Sequence, residues 1–281
     1  MPVEKWTTTQ ERRLRELNLD TAILNAEFSS IEERNKQFQQ IEKRQIKILR
    51  SALSHFLNED KKTQLQLLSE RLCDVLFQQG FARVFTPTII TRKALEKMSI
   101  TADHPLTKQV FWLNDTQCLR PMLAPNLYSL MQDFSRMQLS TGRFFEIGSC
   151  FRKESQGASH SNEFTMLNLV EMGVPEEDRL ERLKEIARTV MKTTGITKYT
   201  FNNEESEVYG STLDVLTHSG KLELASGAMG PHILDASWGV TGTWIGMGFG
   251  IERLLMATKS DNSIGRWTKN LSYLDGICLS I

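Results

Sequence analysis

Hydrophobic positions in the first sixty residues recur at loose helical spacing. Ile31, Phe38, Ile41, Ile46, Ile48 and Leu49 form a partial stripe in a stretch that has no glycine and only Pro2 as proline. The pattern predicts a helical N-terminal extension over 1–60, followed by a second domain over 61–281. Leu65, Leu68, Leu72 and Val75/Leu76 continue at helical spacing from Thr63 to Gln79, and Gly80 is the expected stop. Phe81 to Thr86 reads as a strand ended by Pro87. Val110–Leu113 and Cys118–Arg120, separated by Asn114-Asp115, read as a hairpin. Pro125 suits the first residue of a helix to about Met137, because its missing N–H needs no partner there.

Residues 143–153 and 163–172 read as two long strands joined by the polar loop Glu154–Asn162. Pro175 to Thr194 is a charged amphipathic helix stopped by Gly195. Short strands fill 198–226, with turns at Asn202-Asn203, Gly210 and Gly220. Trp244 to Gly250 is a glycine-rich strand feeding a helix from Ile251 to about Lys259. The fold class is α+β: a mostly antiparallel sheet flanked by helices, with a helical extension before it.

Composition adds exclusions. With 40% hydrophobic and 24% charged residues in 281, the chain is an ordinary globular one. No apolar run approaches the roughly 18 residues of a membrane span, and no secretory h-region follows Met1, so a cytoplasmic protein is expected. Lys+Arg and Asp+Glu both number 34. Zero net charge argues against a wholly basic coat for bulk nucleic-acid binding, yet leaves room for a local basic face. From Arg34 to Arg50 stand Arg34, Lys36, Lys43, Arg44, Lys47 and Arg50 against Glu42 alone. That stretch is either a solvated helix face or a phosphate-backbone contact. Cys73, Cys118, Cys150 and Cys278 form no CxxC pair, and read as isolated buried thiols in a reducing compartment.

Three stretches carry chemistry. In Phe151-Arg152-Lys153-Glu154, alternation puts Arg152 and Glu154 on one strand face. Phe164, Met166 and Asn168 share a face of the returning strand. A guanidinium for phosphate, a carboxylate for an exocyclic amine and a ring for stacking suit a nucleotide; a surface Arg–Glu pair beside a core Phe is the plainer alternative. In Gly246-x-Gly248-x-Gly250-Ile251-Glu252-Arg253, alternate glycines clear one face of a strand for a flat ligand, unless they serve a tight corner. The spacing is not that of a dinucleotide fingerprint. In Leu119-Arg120-Pro121-Met122-Leu123-Ala124-Pro125-Asn126, a helix N-terminus follows a strand and offers N–H groups to an anion.

In this order and spacing the stretches resemble the signature motifs of class II aminoacyl-tRNA synthetases. Pro87 resembles motif one, usually at a dimer interface. Phe151–Glu154 through Phe164 resembles motif two, and Gly248–Arg253 resembles motif three. Leu119–Tyr128, Phe151–Ser155, Glu163–Asn168 and Trp244–Gly250 are similar to the pyrrolysyl-tRNA synthetase family, from about residue 60 onward. The short helical start resembles the branch lacking the separate N-terminal tRNA-binding domain.

The resemblance implies ATP- and Mg²⁺-dependent activation of pyrrolysine or a related lysine derivative, then transfer to pyrrolysine tRNA. It implies a homodimer, with neither membrane nor DNA as partner. The implied catalytic residues are Arg152, Glu154 and Arg253. Arg152 meets the α-phosphate and the amino-acid carboxylate, and Glu154 the adenine amine. Phe164 stacks on adenine, with Arg253 on its other face or near the γ-phosphate. His160 approaches the terminal phosphates, and Glu223 and Ser226 hold Mg²⁺. Three positions apart on a strand, those two need a local bend to converge. The implied amino-acid pocket comprises Ala124, Leu127, Tyr128, Met131, Met166, Asn168, Val170, Ser226, Ala228, Trp244 and Gly246. Asn168 bonds the side-chain carbonyl and Tyr209 caps the substrate as a lid. Apart from the resemblance, plain core is the simpler reading of Leu127, Met131 and Val170.

Two positions depart from the pattern. Ser161-Asn162 stands where the family usually has Leu-Glu. Met247 stands where a small residue is common, and faces either the pocket floor or the core. Two alternatives remain beside the leading one: a class II-like ligase with another amino acid or acceptor, and a non-catalytic tRNA-binding relative.

Overall fold

The structure, a computed structural model, describes residues 3–153, 161–206, 208–261 and 263–279. The chain forms two compact units, Met1–Gln64 with Asn270–Ile281, and Leu65–Lys269. The C-terminal residues 270–281, read from the sequence with the second domain, thus cluster with the first unit.

In the first unit, Glu4–Lys5 (β1) pairs antiparallel with Glu27–Phe28 (β2). Thr8–Glu16 (α1) starts with a capping box, in which the Thr7 hydroxyl accepts from the Gln10 N–H and the Gln10 side chain accepts from the Thr7 N–H. Thr21–Leu24 (α2) is one short turn capped by Asp20. Ile31–His55 (α3) is the long helix of the extension, capped by Ser30. Trp6, Leu14 and Phe28 form one small core, with Phe38 and Ile41 of α3 against it. Leu17, Leu49 and Cys278 form another, which the closing hairpin Tyr273–Leu274/Ile277–Cys278 completes.

The second unit opens on Gln64–Gln78 (α4), whose Leu68, Leu72 and Leu76 are buried. Ala82–Arg83 (β3) is much shorter than the expected strand over 81–86. The chain leaves the sheet there because Thr86 and Pro87 enter a polar network described below. Ile89–Thr91 (β4) precedes Arg92–Glu96 (α5) and pairs with Gln117–Leu119 (β5). The expected hairpin of 110–113 with 118–120 forms: the Leu119 N–H donates to the Phe111 carbonyl at 3.0 Å and the Leu113 N–H to the Gln117 carbonyl at 2.9 Å. The 110–113 arm bridges Trp112 to Cys118 on one edge of β5, while β4 pairs along its other edge. Ala124–Arg136 (α6) follows, with Pro125 one position inside its start.

Gly142–Phe151 (β6) and Glu163–Met172 (β7) are the two long strands. Arg179–Thr194 (α7) ends at Gly195, whose φ of 81° is the left-handed conformation that glycine takes without strain. Tyr199–Ser206 (β8), Gly210–Thr217 (β9) and Glu223–Gly230 (β10) form a meander. The expected turn at Asn202-Asn203 is absent: both residues lie inside β8, opposite Asp214 and Leu213. Cross-strand pairing outweighs the local turn preference. Asp235–Trp238 (α8), Trp244–Gly250 (β11) and Ile251–Thr258 (α9) complete the unit.

The main sheet has seven strands in the order β3-β6-β7-β11-β10-β9-β8. Only the β3–β6 pair is parallel. One face packs on α4, α7 and α9 through Phe145, Leu167, Leu169, Val215, Ile245 and Phe249. Met247, 2% exposed, belongs to that core and also borders the cavity on the opposite face. The other face carries the site.

Candidate active site

Alternation along β7 and β11 builds the floor. Phe164, Met166, Asn168 and Val170 line a cavity of about 400 Å³, while the intervening Leu167 and Leu169 are fully buried on the helical side. On β11, Trp244, Gly246, Gly248 and Gly250 face the cavity. Gly248 lies opposite Asn168, and a Cβ there would collide with the Asn168 amide oxygen. The bare glycine therefore leaves that amide room. Asn168 makes no side-chain hydrogen bond among the described residues, and it stands among apolar walls.

Glu223 and Ser226 both line the cavity, although plain alternation would oppose them. The register of β10 shifts between Glu223 and Ala225, so Leu224 and Ala225 both turn into the core at 1% exposure. That bulge is the bend the spacing demanded. Ser226 Oγ donates to Asp214 Oδ1 at 2.7 Å, which leaves the hydroxyl's lone pairs available. Arg253 Nη1 lies 3.4 Å from Glu223 Oε1 and donates to the Glu223 carbonyl at 3.3 Å. The donor set fits Mg²⁺, which takes one or two protein oxygens and completes its shell with phosphate and water. Among the described residues no cluster of three or more His, Cys, Asp or Glu could hold a metal.

Arg152 lines the same cavity as Arg253. Its Nε donates to the Pro121 carbonyl at 2.9 Å, and its guanidinium sits 5.3 Å from the Phe164 ring centroid. Ala124, Leu127, Tyr128 and Met131 of α6 form one wall, with Ala228 and Tyr209 on others. Every expected site residue that the structure describes thus lies on one cavity. Glu154 and His160 fall outside the described residues.

Several lining residues carry no signal in the sequence. Asp214 is 7% exposed, and only the cross-strand pairing of β9 with β10 places it beside Ser226. Glu204 and Glu205 on β8 add carboxylates to the wall. Glu252 is 1% exposed, and both of its oxygens accept from the Thr165 N–H, at 2.8 and 2.9 Å. β11 ends opposite Met166, so this strand N–H has no sheet partner on that side. Burial pushes the Glu252 carboxyl up to about 7, against the opposing pull of that N–H. Burial likewise pushes the Cys118 thiol to about 11 and Cys150 to about 12, so neither is a nucleophile at neutral pH. All four cysteines are free and buried. No described helix is long and apolar enough to cross a membrane.

A mostly antiparallel sheet whose glycine-cleared face shares one cavity with two arginines, one just past β6 and one in α9, is the architecture of a class II aminoacyl-tRNA synthetase core. Residues 50–274 match the family of class II tRNA synthetase core domains, type F. A crystal structure of pyrrolysyl-tRNA synthetase from Desulfitobacterium hafniense is 48% identical, with a TM-score of 0.90, and the match covers 99% of both chains. A structure of Desulfitobacterium hafniense PylSc, a pyrrolysyl tRNA synthetase, is 47% identical with a TM-score of 0.87, over 99% of this chain and 96% of that one. The chain belongs to the pyrrolysyl-tRNA synthetase family. Its class of activity is that of a ligase that activates an amino acid and charges tRNA.

Proposed function

We propose that the protein activates pyrrolysine, or a closely related lysine derivative, with ATP and Mg²⁺, and transfers it to pyrrolysine tRNA. The observation that carries this reading is the division of one cavity into two ends. One end holds Arg152, Arg253, Glu223 and Phe164; the other is apolar and holds the single amide of Asn168. The charged end suits a triphosphate, and the long apolar end suits an extended lysine side chain with one acceptor.

Attack of the amino-acid carboxylate on the α-phosphate forms the acyl–phosphate bond, breaks the bond to the β-phosphate and releases pyrophosphate; the negative charge that builds on the α-phosphate is neutralised by Arg152. Phe164 stacks on adenine, and Glu154 accepts from its amine. Arg253 leaves Glu223 for phosphate; that half-exposed ion pair is worth little and gives way readily. Glu223 and Ser226 would hold Mg²⁺, which supplies charge neutralisation on the phosphates when bound. His160 meets the terminal phosphates, and Tyr209 closes over the substrate.

Amino-acid-dependent ATP–pyrophosphate exchange tests the reading. Exchange with pyrrolysine is expected; none with any lysine derivative would remove it. Asn168→Ala is expected to lower kcat/KM for pyrrolysine roughly 10- to 100-fold, the loss of one buried hydrogen bond, with ATP KM little changed. Unaltered pyrrolysine kinetics would exclude Asn168 from substrate recognition.

For the tRNA, α3 offers a built stripe. Lys36, Lys43, Lys47 and Arg50 stand at i, i+7, i+11 and i+14, within about 40° of one line on the helix, and all are exposed. Arg34, read with them from the sequence, is instead paired to Glu4 at 3.0 Å and is 12% exposed. Reversing Lys43 and Lys47 to Glu is expected to weaken tRNA binding and to flatten its salt dependence by about one unit of slope per contact. Pyrophosphate exchange should persist. Salt-independent, unchanged tRNA affinity would make the stripe a solvated face.

The homodimer would form around Pro87, beside which Phe85 is 77% and Ile89 49% exposed. The cytoplasm suits its four reduced thiols.

A further inference from the structure

The apolar end of the cavity is braced from outside by a segment the proposed chemistry does not use. Residues 231–234 connect β10 to α8, which Asp235 opens. Asp235 is 4% exposed and does not line the cavity. Its Oδ1 accepts from the Tyr128 hydroxyl and from Trp244 Nε1, each at 3.1 Å. Its Oδ2 accepts from Trp244 Nε1 at 3.0 Å and from the His232 backbone N–H at 2.6 Å. These donors are all neutral, and two of them belong to walls of the pocket.

The two rings have little freedom beyond this clamp. They meet edge to face, with centroids 5.5 Å apart and planes at 79°. Tyr128 also stacks on Trp238 at 5.5 Å. The Trp244 indole lies directly over Gly230, its partner across β10, where any Cβ would collide with the ring. A third wall is tied to the same segment, since the His232 ring contacts the Tyr209 carbonyl. Burial, with Tyr209 and Asp235 adding to it, holds the Tyr128 phenol well above its ordinary value. The hydroxyl therefore remains a proton donor to the carboxylate.

We propose that Asp235 is a positioning residue for amino-acid selection: it clamps Tyr128 and Trp244 from behind and so fixes the depth of the apolar pocket. The inference rests on reading that end as the amino-acid site. A carboxylate is needed because three donors converge on its two oxygens. An amide in its place would aim an N–H at the indole N–H or at the His232 N–H, and one wall would have to move.

The test compares Asp235→Asn with wild type on pyrrolysine and on a lysine bearing a bulky aromatic carbamate. The variant should lose about tenfold in kcat/KM for pyrrolysine, the weight of one buried hydrogen bond, and gain relative activity on the bulky substrate by a similar factor. ATP KM should move by less than about twofold. A parallel fall on both substrates would overturn the proposal, because loss of fold alone does not change their ratio. Trp244→Phe removes the donor and keeps a ring, so it should shift the ratio in the same direction if Asp235→Asn does not fold; an unmoved ratio would overturn the clamp. Should wild type activate no lysine derivative, only the substrate reading fails. The clamp is then judged from a crystal structure of Asp235→Asn, where Tyr128 and Trp244 in unchanged rotamers would refute it.

Discussion

Arg152→Ala is expected to abolish adenylate formation, lowering pyrophosphate exchange by at least 10²–10³-fold, the usual loss for one preorganised donor at a developing charge. The size of the effect follows from how firmly the arginine is held before substrate arrives. It sits at the end of β6, where its backbone N–H donates to the Asn162 carbonyl at 3.0 Å. Its Nε donates to the Pro121 carbonyl at 2.9 Å, and its guanidinium lies over Phe164. Such a group needs no reorganisation when charge builds on the α-phosphate. Lysine is not a substitute, because a point charge can neither hold the Pro121 carbonyl in a planar fork nor meet two oxygens at once. Exchange kinetics on folded Arg152→Ala and Arg152→Lys check this; activity near wild type in either removes Arg152 from the chemistry.

The floor of the site was legible because a strand's period of two is local. The spacing of Phe164, Met166 and Asn168 places three side chains on one face before any neighbour is known, and β7 obeys it, with Val170 next on the same face. Alternate glycines in β11 could be read the same way. Glu223 and Ser226 could not, since an odd separation sets them on opposite faces of a regular strand. The β10 bulge that unites them leaves only a faint trace in sequence, the consecutive apolar residues Leu224 and Ala225.

What sequence hid is what distant pairing creates. Asp235 reaches Tyr128 across 107 positions, and Glu252 reaches Thr165 across 87. Neither carboxylate differs locally from an ordinary helix residue. The asparagines of β8 misled for the converse reason. Their turn preference is local, while the eight-pair ladder from Tyr199–Thr217 to Ser206–Gly210 decides their conformation.

The largest stability effect should come from a residue that lies under the site and never faces the ligand. Arg120 and Glu146 form an ion pair at 2.8 Å with both side chains 3% exposed. Arg120 also donates to the Ser149 carbonyl at 2.8 Å, the Thr86 carbonyl at 3.2 Å and the Thr86 hydroxyl at 3.0 Å. Thr86 in turn donates to Glu146 Oε2 at 2.5 Å, and Asn126 Nδ2 donates to Thr86 Oγ1 and to the Pro87 carbonyl. This network ties the Pro87 segment, the start of α6 and β6 into one block. It also explains Gly148, where a Cβ would collide with the Arg120 guanidinium.

Arg120→Ala strips Glu146 of its counter-charge in a buried place and is expected to cost about 3–5 kcal/mol. At roughly 2–4 °C per kcal/mol, that lowers Tm by about 10 °C. Removing both charges together, as Arg120→Met with Glu146→Leu, should cost distinctly less than Arg120→Ala, because no lone buried ion remains. Activity should fall alongside stability, since the Arg120 carbonyl accepts from the Phe151 N–H at 2.9 Å and the next carbonyl along holds Arg152. Thermal denaturation of the three proteins decides the matter. A Tm within about two degrees of wild type for Arg120→Ala, or a double variant no more stable than the single, would show that the pair is solvated or dispensable, and that the perch of Arg152 is held by other means.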